Sequence, residues 1–327
     1  MPHILEITFP FFALVLCGYA VARCGWLPLE SIPGLNLFVL FFALPCLLFR
    51  FGVVTPIARM LDPSIFGTYL LCALVMVGIS VATTRRGPIG WNDASFGALV
   101  AAFPNSGVMG VPLLVGLLGE RAAAPAIVAL AVDMVITSSL CIALSRLGSG
   151  PAHGSGRAVL NALKGMATNP LPWSIGLGCL VSASGANLPT VLMKPVGMLA
   201  DAASPVALFA LGAMLARSSM RAAATTSTPA QASAGPRRSD VPQVVLYKLV
   251  LHPALVLGAG RLAIAAGAPL DGFAATVLTL VAALPTASNV PMLAERFGAD
   301  AGRIARIVLV STALAFLSFS AAVALLA

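Results

Sequence analysis

Charged residues are scarce in this chain. Only 9% of its 327 residues are Asp, Glu, Lys or Arg and 59% are hydrophobic, whereas soluble proteins carry about 25% charged residues. A water-soluble core of this size cannot bury so much apolar surface, so we expect the lipid bilayer to be the solvent. The composition therefore excludes an ordinary soluble domain and predicts an integral membrane protein.

Side chains that perform chemistry are also few. The chain has three histidines and six cysteines, with no HExxH motif and no CxxC pair. We therefore expect no metal site and no disulfide framework. No Walker A pattern is present to bind the phosphates of ATP. An intramembrane enzyme would need a nucleophile with its base, or a metal, so we expect neither catalytic activity nor a bound cofactor.

Long apolar runs dominate the remaining sequence. A helix needs about 20 apolar residues to cross a bilayer, and the pattern predicts an all-α membrane protein with ten such spans. Numbered from one to ten, the predicted spans are 4–22, 33–53, 64–84, 95–118, 124–147, 168–186, 190–216, 243–266, 272–294 and 304–327.

Basic residues are distributed unevenly between the loops that join these spans. The odd-numbered loops and the span ends beside them contain 13 of the 19 Lys and Arg residues. The even-numbered loops and the span ends beside them contain 5, and Lys248 lies deeper inside span eight. Because cytoplasmic loops are enriched in basic residues, we expect the odd loops to be cytoplasmic and both termini to lie outside. The net charge of +8 is thus explained by basic residues in the predicted cytoplasmic loops, and nucleic-acid binding is not expected.

The two halves of the chain repeat one proline pattern. Spans two and seven both contain Pro-x-x-Leu-Phe, beginning at Pro45 and Pro205, and spans four and nine both place two prolines around a short polar stretch. Five spans per half is an odd number, so the second half enters the membrane from the opposite side, which predicts two inverted five-helix repeats. The predicted units are the first repeat at 1–147, a cytoplasmic connecting loop at 148–165, and the second repeat at 166–327 with a flexible linker at 218–240.

The broken spans four and nine predict a binding site. Proline removes a backbone donor and frees carbonyls, which the bilayer tolerates only where they line protein or a polar cavity. The new half-helix N-termini attract anions. One break alone would be an ordinary kink, but two matched breaks with Asn and hydroxyl side chains indicate a site, although the glycines could equally allow close helix crossing. The predicted breaks are Pro104, Pro112, Pro285 and Pro291, and the predicted substrate contacts are Asn105, Ser106, Gly107, Thr286, Ser288 and Asn289.

Four motifs of this chain are "FPNSGVMGVPLL", "LPTASNVPMLAERFGAD", "FVLFFALPCLLF" and "SPVALFALGAML". These motifs resemble the auxin efflux carrier family, and the resemblance covers essentially the whole chain. It implies ten helices in which the broken helices four and nine cross near mid-membrane, with a substrate carboxylate beside Asn105 and Asn289. It further implies an elevator-type movement against a scaffold of helices one, two, six and seven, a location in the cell (plasma or inner) membrane, and a homodimer. The large cytoplasmic loop of many plant members is absent from this sequence.

Together, the breaks and the resemblance predict a secondary active or potential-driven transporter of small organic anions. The expected substrates are carboxylates, such as malonate-like dicarboxylates or auxin-like acids, moved by alternating access. The alternative is a membrane-embedded anion sensor or a channel. A saturable flux with counterflow would indicate a carrier, whereas binding without flux would indicate a sensor.

Ionisable residues within the spans are further candidates, because a charge at membrane depth is usually functional. Asp133 could bind a coupling proton or a sodium ion, or only pair with a neighbouring helix. Lys248 and His252 share one helix face. Lys248 could meet the anion, pair with Asp133 or extend to the membrane surface, whereas His252 could simply bond a carbonyl freed by the following proline. Asn36 and Asp201 suggest capping or interfacial roles, although Asn36 could also contribute to a substrate wall.

Overall fold

The computed structural model describes residues 2–54, 62–85, 89–146, 170–186, 188–226 and 240–326. Throughout these ranges the protein is helical, without a β-strand. Its twelve helices in the described residues are α1 Pro2–Arg23, α2 Ile32–Val54, α3 Pro63–Thr84, α4 Trp91–Ala102, α5 Ser106–Leu118, α6 Glu120–Ser145, α7 Pro170–Ser184, α8 Thr190–Thr226, α9 Val241–Ala265, α10 Gly272–Ala283, α11 Val290–Arg296 and α12 Ala301–Leu326.

Six of these helices are long and apolar enough to cross a membrane: α2, α3, α6, α8, α9 and α12. Shorter apolar helices lie in α1, α5, α7 and α10. The prediction of an all-helical, multi-pass membrane protein is therefore confirmed. The predicted span four corresponds to α4 and α5, and span nine to α10 and α11. Helix α8 extends to Thr226, into the predicted linker, while residues 148–165 and 227–239 lie outside the described residues.

The start of α3 is set by local sequence. Asp62 precedes Pro63, which occupies the first turn where its missing N–H costs nothing. The Asp62 carboxylate accepts hydrogen bonds from the Ser64 N–H at 2.8 Å, the Ser64 hydroxyl at 2.6 Å and the Ile65 N–H. Partial burial acts to raise the pKa of Asp62, but these hydrogen bonds outweigh it and lower the pKa. This N-cap fixes where α3 begins.

The helices pack as two groups. Helices α1, α2, α7 and α8 contact mainly one another, and we call them the four-helix group. A second group, whose members also contact mainly one another, consists of α3, α4, α6, α9, α10 and α12. It includes α4 and α10, the helices that end at the two breaks. The short helix α5, which follows the first break, contacts both groups. The breaks therefore lie where the two groups meet.

Glycine allows very close backbone contact inside the four-helix group. Helices α1 and α8 touch at Gly212, where an added methyl group would overlap the carbonyl oxygen of Val15. Helices α2 and α7 touch at Gly52, where a methyl group would lie 2.7 Å from the carbonyl oxygen of Ile175. Any side chain at these positions would separate the helices, since close packing between membrane helices needs small residues.

Widened π turns interrupt four of the helices in the described part of the chain. Three of them come just before a proline, whose ring clashes with the carbonyl four residues earlier in a regular α-helix. We attribute the wider turn to this clash. Such turns are frequent at functional sites, and all four lie beside the site described below. The π turns are Val39–Ala43 in α2, Ser106–Gly110 in α5, Asp133–Thr137 in α6 and Tyr247–Leu251 in α9.

Candidate functional site at the crossing of the broken helices

The two helix breaks cross each other as a pair of extended segments. Phe103 and Leu284 each precede a proline and are both extended, because a following proline disfavours helical geometry. The segments pair antiparallel, as the N–H of Asn105 donates to the carbonyl of Pro285 at 2.8 Å and the N–H of Ala287 donates to the carbonyl of Phe103 at 3.0 Å. The breaks thus satisfy part of each other's backbone hydrogen bonding, which a low-dielectric interior requires.

Side chains satisfy further carbonyls that the breaks leave free. The hydroxyl of Thr286 donates to the carbonyl of Val100 near the end of α4, at 2.9 Å. The ammonium of Lys248 donates to the carbonyl of Ala282 near the end of α10, at 3.0 Å. A cation at a helix C-terminus also offsets the negative end of the helix dipole. Lys248, a residue of α9, therefore caps the C-terminal end of α10.

A small cavity lies beside the crossing, between the two helix groups. Its volume is about 50 Å³, several times the roughly 10–15 Å³ that one water molecule needs by the same measure. The second group contributes Leu130 and Met134 of α6, the four-helix group forms the opposite wall, and the crossing closes one side. The lining residues are Asn36, Val39, Leu40, Leu44, Phe103, Pro104, Asn105, Gly107, Val108, Leu130, Met134, Ala207, Met214, Ala287, Ser288 and Asn289.

Asn105 is the most informative side chain in this cavity. It is 3% exposed, and its amide nitrogen has no hydrogen-bond partner among the described residues. A buried donor without a partner is costly and calls for an explanation. Asn105 also precedes α5, whose first N–H groups lack intrahelical acceptors. An anion in the cavity would accept from the Asn105 amide and meet the positive end of α5.

The predicted contact residues divide between the cavity and the protein interior. Asn105, Gly107, Ser288 and Asn289 line the cavity, as does Pro104. Ser106 and Thr286 are fully buried and do not line it. The Ser106 hydroxyl lies 3.5 Å from the Pro104 carbonyl, and Thr286 bonds to α4 as described above.

The other predicted break residues shape the backbone around the site. Pro285 belongs to the antiparallel pair. Pro112 follows the π turn of α5, and Pro291 occupies the first turn of α11, where proline is favoured because no N–H is needed there. Neither Pro112 nor Pro291 lines the cavity.

Asn36, for which the sequence allows a capping, an interfacial or a substrate-wall role, lines the cavity. It lies in the second turn of α2, on the wall opposite the crossing, and its amide nitrogen is 4.0 Å from the sulfur of Met214. A polar residue inside an apolar span was the available signal. Its position near the predicted start of the span obscured that signal, because a terminal residue can simply cap the helix or face the headgroups.

Asp133 forms a buried polar cluster behind the cavity. It is fully buried at the start of the π turn in α6. Its carboxylate accepts from the Tyr69 hydroxyl at 2.8 Å and the Thr137 hydroxyl at 3.2 Å. The next residue, Met134, lines the cavity. A buried ionisable group one residue from a cavity wall is suited to respond to what binds there.

Lys248 and His252 form the other part of this cluster. Both are fully buried, and the Lys248 ammonium lies 3.0 Å from Nδ1 of His252, while Nε2 of His252 has no partner among the described residues. The His252 ring is 6.1 Å from the ring of Tyr69. Lys248 and Asp133 are not joined by a direct ion pair in the described residues, since the nitrogen bonds Ala282 and the carboxylate bonds Tyr69 and Thr137. Lys248 is buried and does not extend to the membrane surface.

Asp201 lies away from the cavity. Its carboxylate forms an ion pair with Arg50 at 2.7 Å, which joins α8 to α2. The side chain of Asp201 is 71% exposed, so this pair contributes little to stability on its own. Because it lies well inside α8, Asp201 does not cap the start of that helix.

The fold and the crossing define a multi-pass helical membrane protein with two broken helices beside a cavity. A profile of the family described as "Membrane transport protein" matches residues 3–153 and 156–323. The chain belongs to this family of membrane transporters, which is not an enzyme family, and the predicted resemblance to auxin efflux carriers is confirmed.

Individual relatives agree with this assignment. A "Putative malonate transporter" of Rhizobium meliloti is 29% identical over 96% of this chain and 93% of its own length. The "Uncharacterized transporter YfdV" of Escherichia coli K12 is 25% identical over 88% of this chain and 86% of its own. "Auxin efflux carrier component 8" of Arabidopsis thaliana is 22% identical over 78% of this chain and 80% of its own.

Proposed function

We propose that this protein is a secondary active or potential-driven transporter of small organic anions, with carboxylates as substrates. The observation that supports this proposal best is the unpartnered, buried amide of Asn105 in a cavity at the crossing. Asn289 and Ser288 add polar groups on the same side, and the start of α5 adds free N–H groups. The Rhizobium meliloti and Arabidopsis thaliana relatives, named for malonate and auxin, support an organic anion.

The proposed architecture is two inverted five-helix repeats, and the helix contacts support it. Gly18 and Gly178 are 160 residues apart, as are Gly52 and Gly212. An added methyl group at each glycine would meet one backbone carbonyl, and these carbonyls obey the same spacing: Phe209 and Phe49 face the first pair, and Ile175 and Val15 face the second. The α1–α8 and α2–α7 contacts are thus the same contact made twice, as repeated halves would make it.

The proposed mechanism is an elevator-type movement. The cavity has one wall from the four-helix group, formed by α2 and α8, and the rest from the crossing and α6. Sliding the second group along the four-helix group would carry a bound anion from one side of the membrane to the other. In this proposal both termini lie outside, the protein resides in the cell (plasma or inner) membrane, and two copies form a homodimer.

The experiment that tests the function is ligand-induced stabilisation of the detergent-purified protein. We expect one or more carboxylates to raise its melting temperature, because a ligand that binds only the folded state stabilises it. Asn105→Asp keeps the side-chain size but replaces the donor by a negative charge, so stabilisation should disappear at neutral pH. Asn289→Ala should weaken it at least about tenfold in apparent affinity, the effect of one lost hydrogen bond to a charged group.

Asn92→Ala is the matched control, since Asn92 lies at the start of α4, at the opposite end of that helix from the break, and does not line the cavity. The substitution removes a hydrogen bond to the carbonyl of Phe297, so the melting temperature without ligand can fall, but the shift caused by the carboxylate should persist. Stabilisation that survives both Asn105→Asp and Asn289→Ala would place the anion elsewhere. Stabilisation without saturable counterflow in liposomes would instead indicate a sensor or a channel.

Coupling through Asp133 is a further part of this proposal, with a proton or a sodium ion as the coupled ion. A change in its charge would be transmitted through Met134 to the cavity wall and through Tyr69 to α3. Lys248 is the second coupling candidate, because it binds the end of α10 three residues before Pro285.

Asp133→Asn should therefore flatten the pH or sodium dependence of transport while carboxylate binding at Asn105 persists. Initial uptake rates in liposomes, measured over a pH series with and without sodium, check this result. Thr137→Val is the control, because it removes a hydrogen bond to the carboxylate but leaves the ionisable group. Unchanged dependence in Asp133→Asn would remove Asp133 from the coupling mechanism.

A further inference from the structure

The polar groups of the cavity lie mainly on one wall. Asn105, Ser288 and Asn289 all belong to the crossing. The opposite wall, from α2 and α8, presents aliphatic side chains and the thioether of Met214, with Asn36 as its polar exception. A carboxylate bound at the crossing would therefore extend the rest of its molecule towards a mostly apolar surface.

Among the described residues that line this cavity, none carries a charged side chain. The buried charged groups behind it are engaged elsewhere. The carboxylate of Asp133 is held by Tyr69 and Thr137, and the ammonium of Lys248 is held by His252 and the carbonyl of Ala282. Neither group lines the cavity.

These features favour a substrate with one negative charge over a substrate with two. A single carboxylate can be satisfied by amide and hydroxyl donors and by the first N–H groups of α5. A second carboxylate would be desolvated against aliphatic side chains that offer it no cation, which is strongly unfavourable.

We infer that the cavity selects a monocarboxylate with a small apolar remainder and discriminates against dicarboxylate dianions. This inference rests on the proposed function and narrows it. It distinguishes this chain from its Rhizobium meliloti relative, whose name specifies malonate. Met214 is the residue whose replacement by a cation should change the preference.

Malonate and its monomethyl ester are the matched probes, because they share a skeleton and differ by one negative charge. At a pH of about 7.5, where both carboxylates of malonate are ionised, the monoester should bind the purified protein at least about tenfold more tightly than malonate. Binding is read from the shift in melting temperature against ligand concentration. Lowering the pH through the second ionisation of malonate should strengthen its binding, while that of the monoester changes little.

This binding experiment distinguishes a failure of the monocarboxylate preference from a failure of the proposed transport function. Equal or tighter binding of the malonate dianion, lost in Asn105→Asp, would overturn the inference and leave the proposed transporter intact. Binding of neither acid, nor of any other carboxylate, would overturn the proposed function itself.

A variant tests the same inference from the side of the protein. Met214→Lys places an ammonium where a thioether of similar length now lies, so malonate binding should improve at least about tenfold, while Met214→Leu should leave the preference as in the wild type. Malonate affinity that is unchanged in a folded Met214→Lys protein would contradict the idea that the lack of a cation excludes dianions. Should that variant fail to fold, the wild-type comparison of malonate with its monoester decides the matter alone.

Discussion

The Gly212→Ala variant is expected to lose much of its stability in detergent, whereas Gly197→Ala in the same helix is not. The methyl group at position 212 would overlap the carbonyl oxygen of Val15, a backbone atom that cannot rotate away. Overpacking of this kind costs about 1–3 kcal/mol, and here it must separate α8 from α1. The melting temperature of the purified protein should fall by several degrees.

Gly197 provides the control because an added methyl group there meets nothing within 4 Å. Alanine is favoured over glycine inside a helix by roughly 0.5–1 kcal/mol, so Gly197→Ala should match or exceed the wild type. Gly52→Ala, with Gly176→Ala as its control in α7, should repeat the result at the α2–α7 contact. Equal melting temperatures for Gly212→Ala and Gly197→Ala would mean that these helices do not touch as described.

The second large effect is expected at Arg303, at the start of α12. Arg303 is 7% exposed. Its guanidinium binds both oxygens of the Asp240 carboxylate at the start of α9, and donates to the carbonyl of Asp93 in α4 at 2.8 Å. Gly97 leaves the space for this group, since a methyl there would meet the guanidinium. One arginine therefore joins the ends of three helices in the second group.

Replacing Arg303 should destabilise the protein by about 3–5 kcal/mol, because the Asp240 carboxylate is left largely buried and unpaired. Arg303→Met retains most of the side-chain length and isolates the loss of charge. Arg306→Met in the exposed position one turn later is the control and should change stability by less than about 0.5 kcal/mol. The measurement is thermal unfolding of each purified variant.

A double variant extends this test. In Arg303→Met with Asp240→Asn, the unpaired charge is also removed, so part of the lost stability should return. Additive losses from the two substitutions would show that the pair is not coupled.

Local sequence is enough to predict a helical membrane protein and the places where two of its helices break. Long apolar runs predict membrane-spanning helices, and a proline disfavours helical geometry in the residue before it, which agrees with the predicted breaks at Pro104 and Pro285. Both effects depend only on the chain near each residue. The proline pattern also made Asn105 and Asn289 candidates before their contacts were known.

Which polar side chains face the cavity depends instead on the tertiary structure. Thr286 and Ser288 are two residues apart, yet Thr286 bonds the freed carbonyl of Val100 while Ser288 lines the cavity. Asn36 reaches the same cavity from the other helix group, and Lys248 binds the end of α10, which the sequence of α9 does not indicate. These roles depend on how helices distant in sequence are rotated and paired. Local sequence does not determine that rotation, which depends on contacts between helices distant in sequence. A free carbonyl can accept a hydrogen bond from any donor that this packing brings within reach.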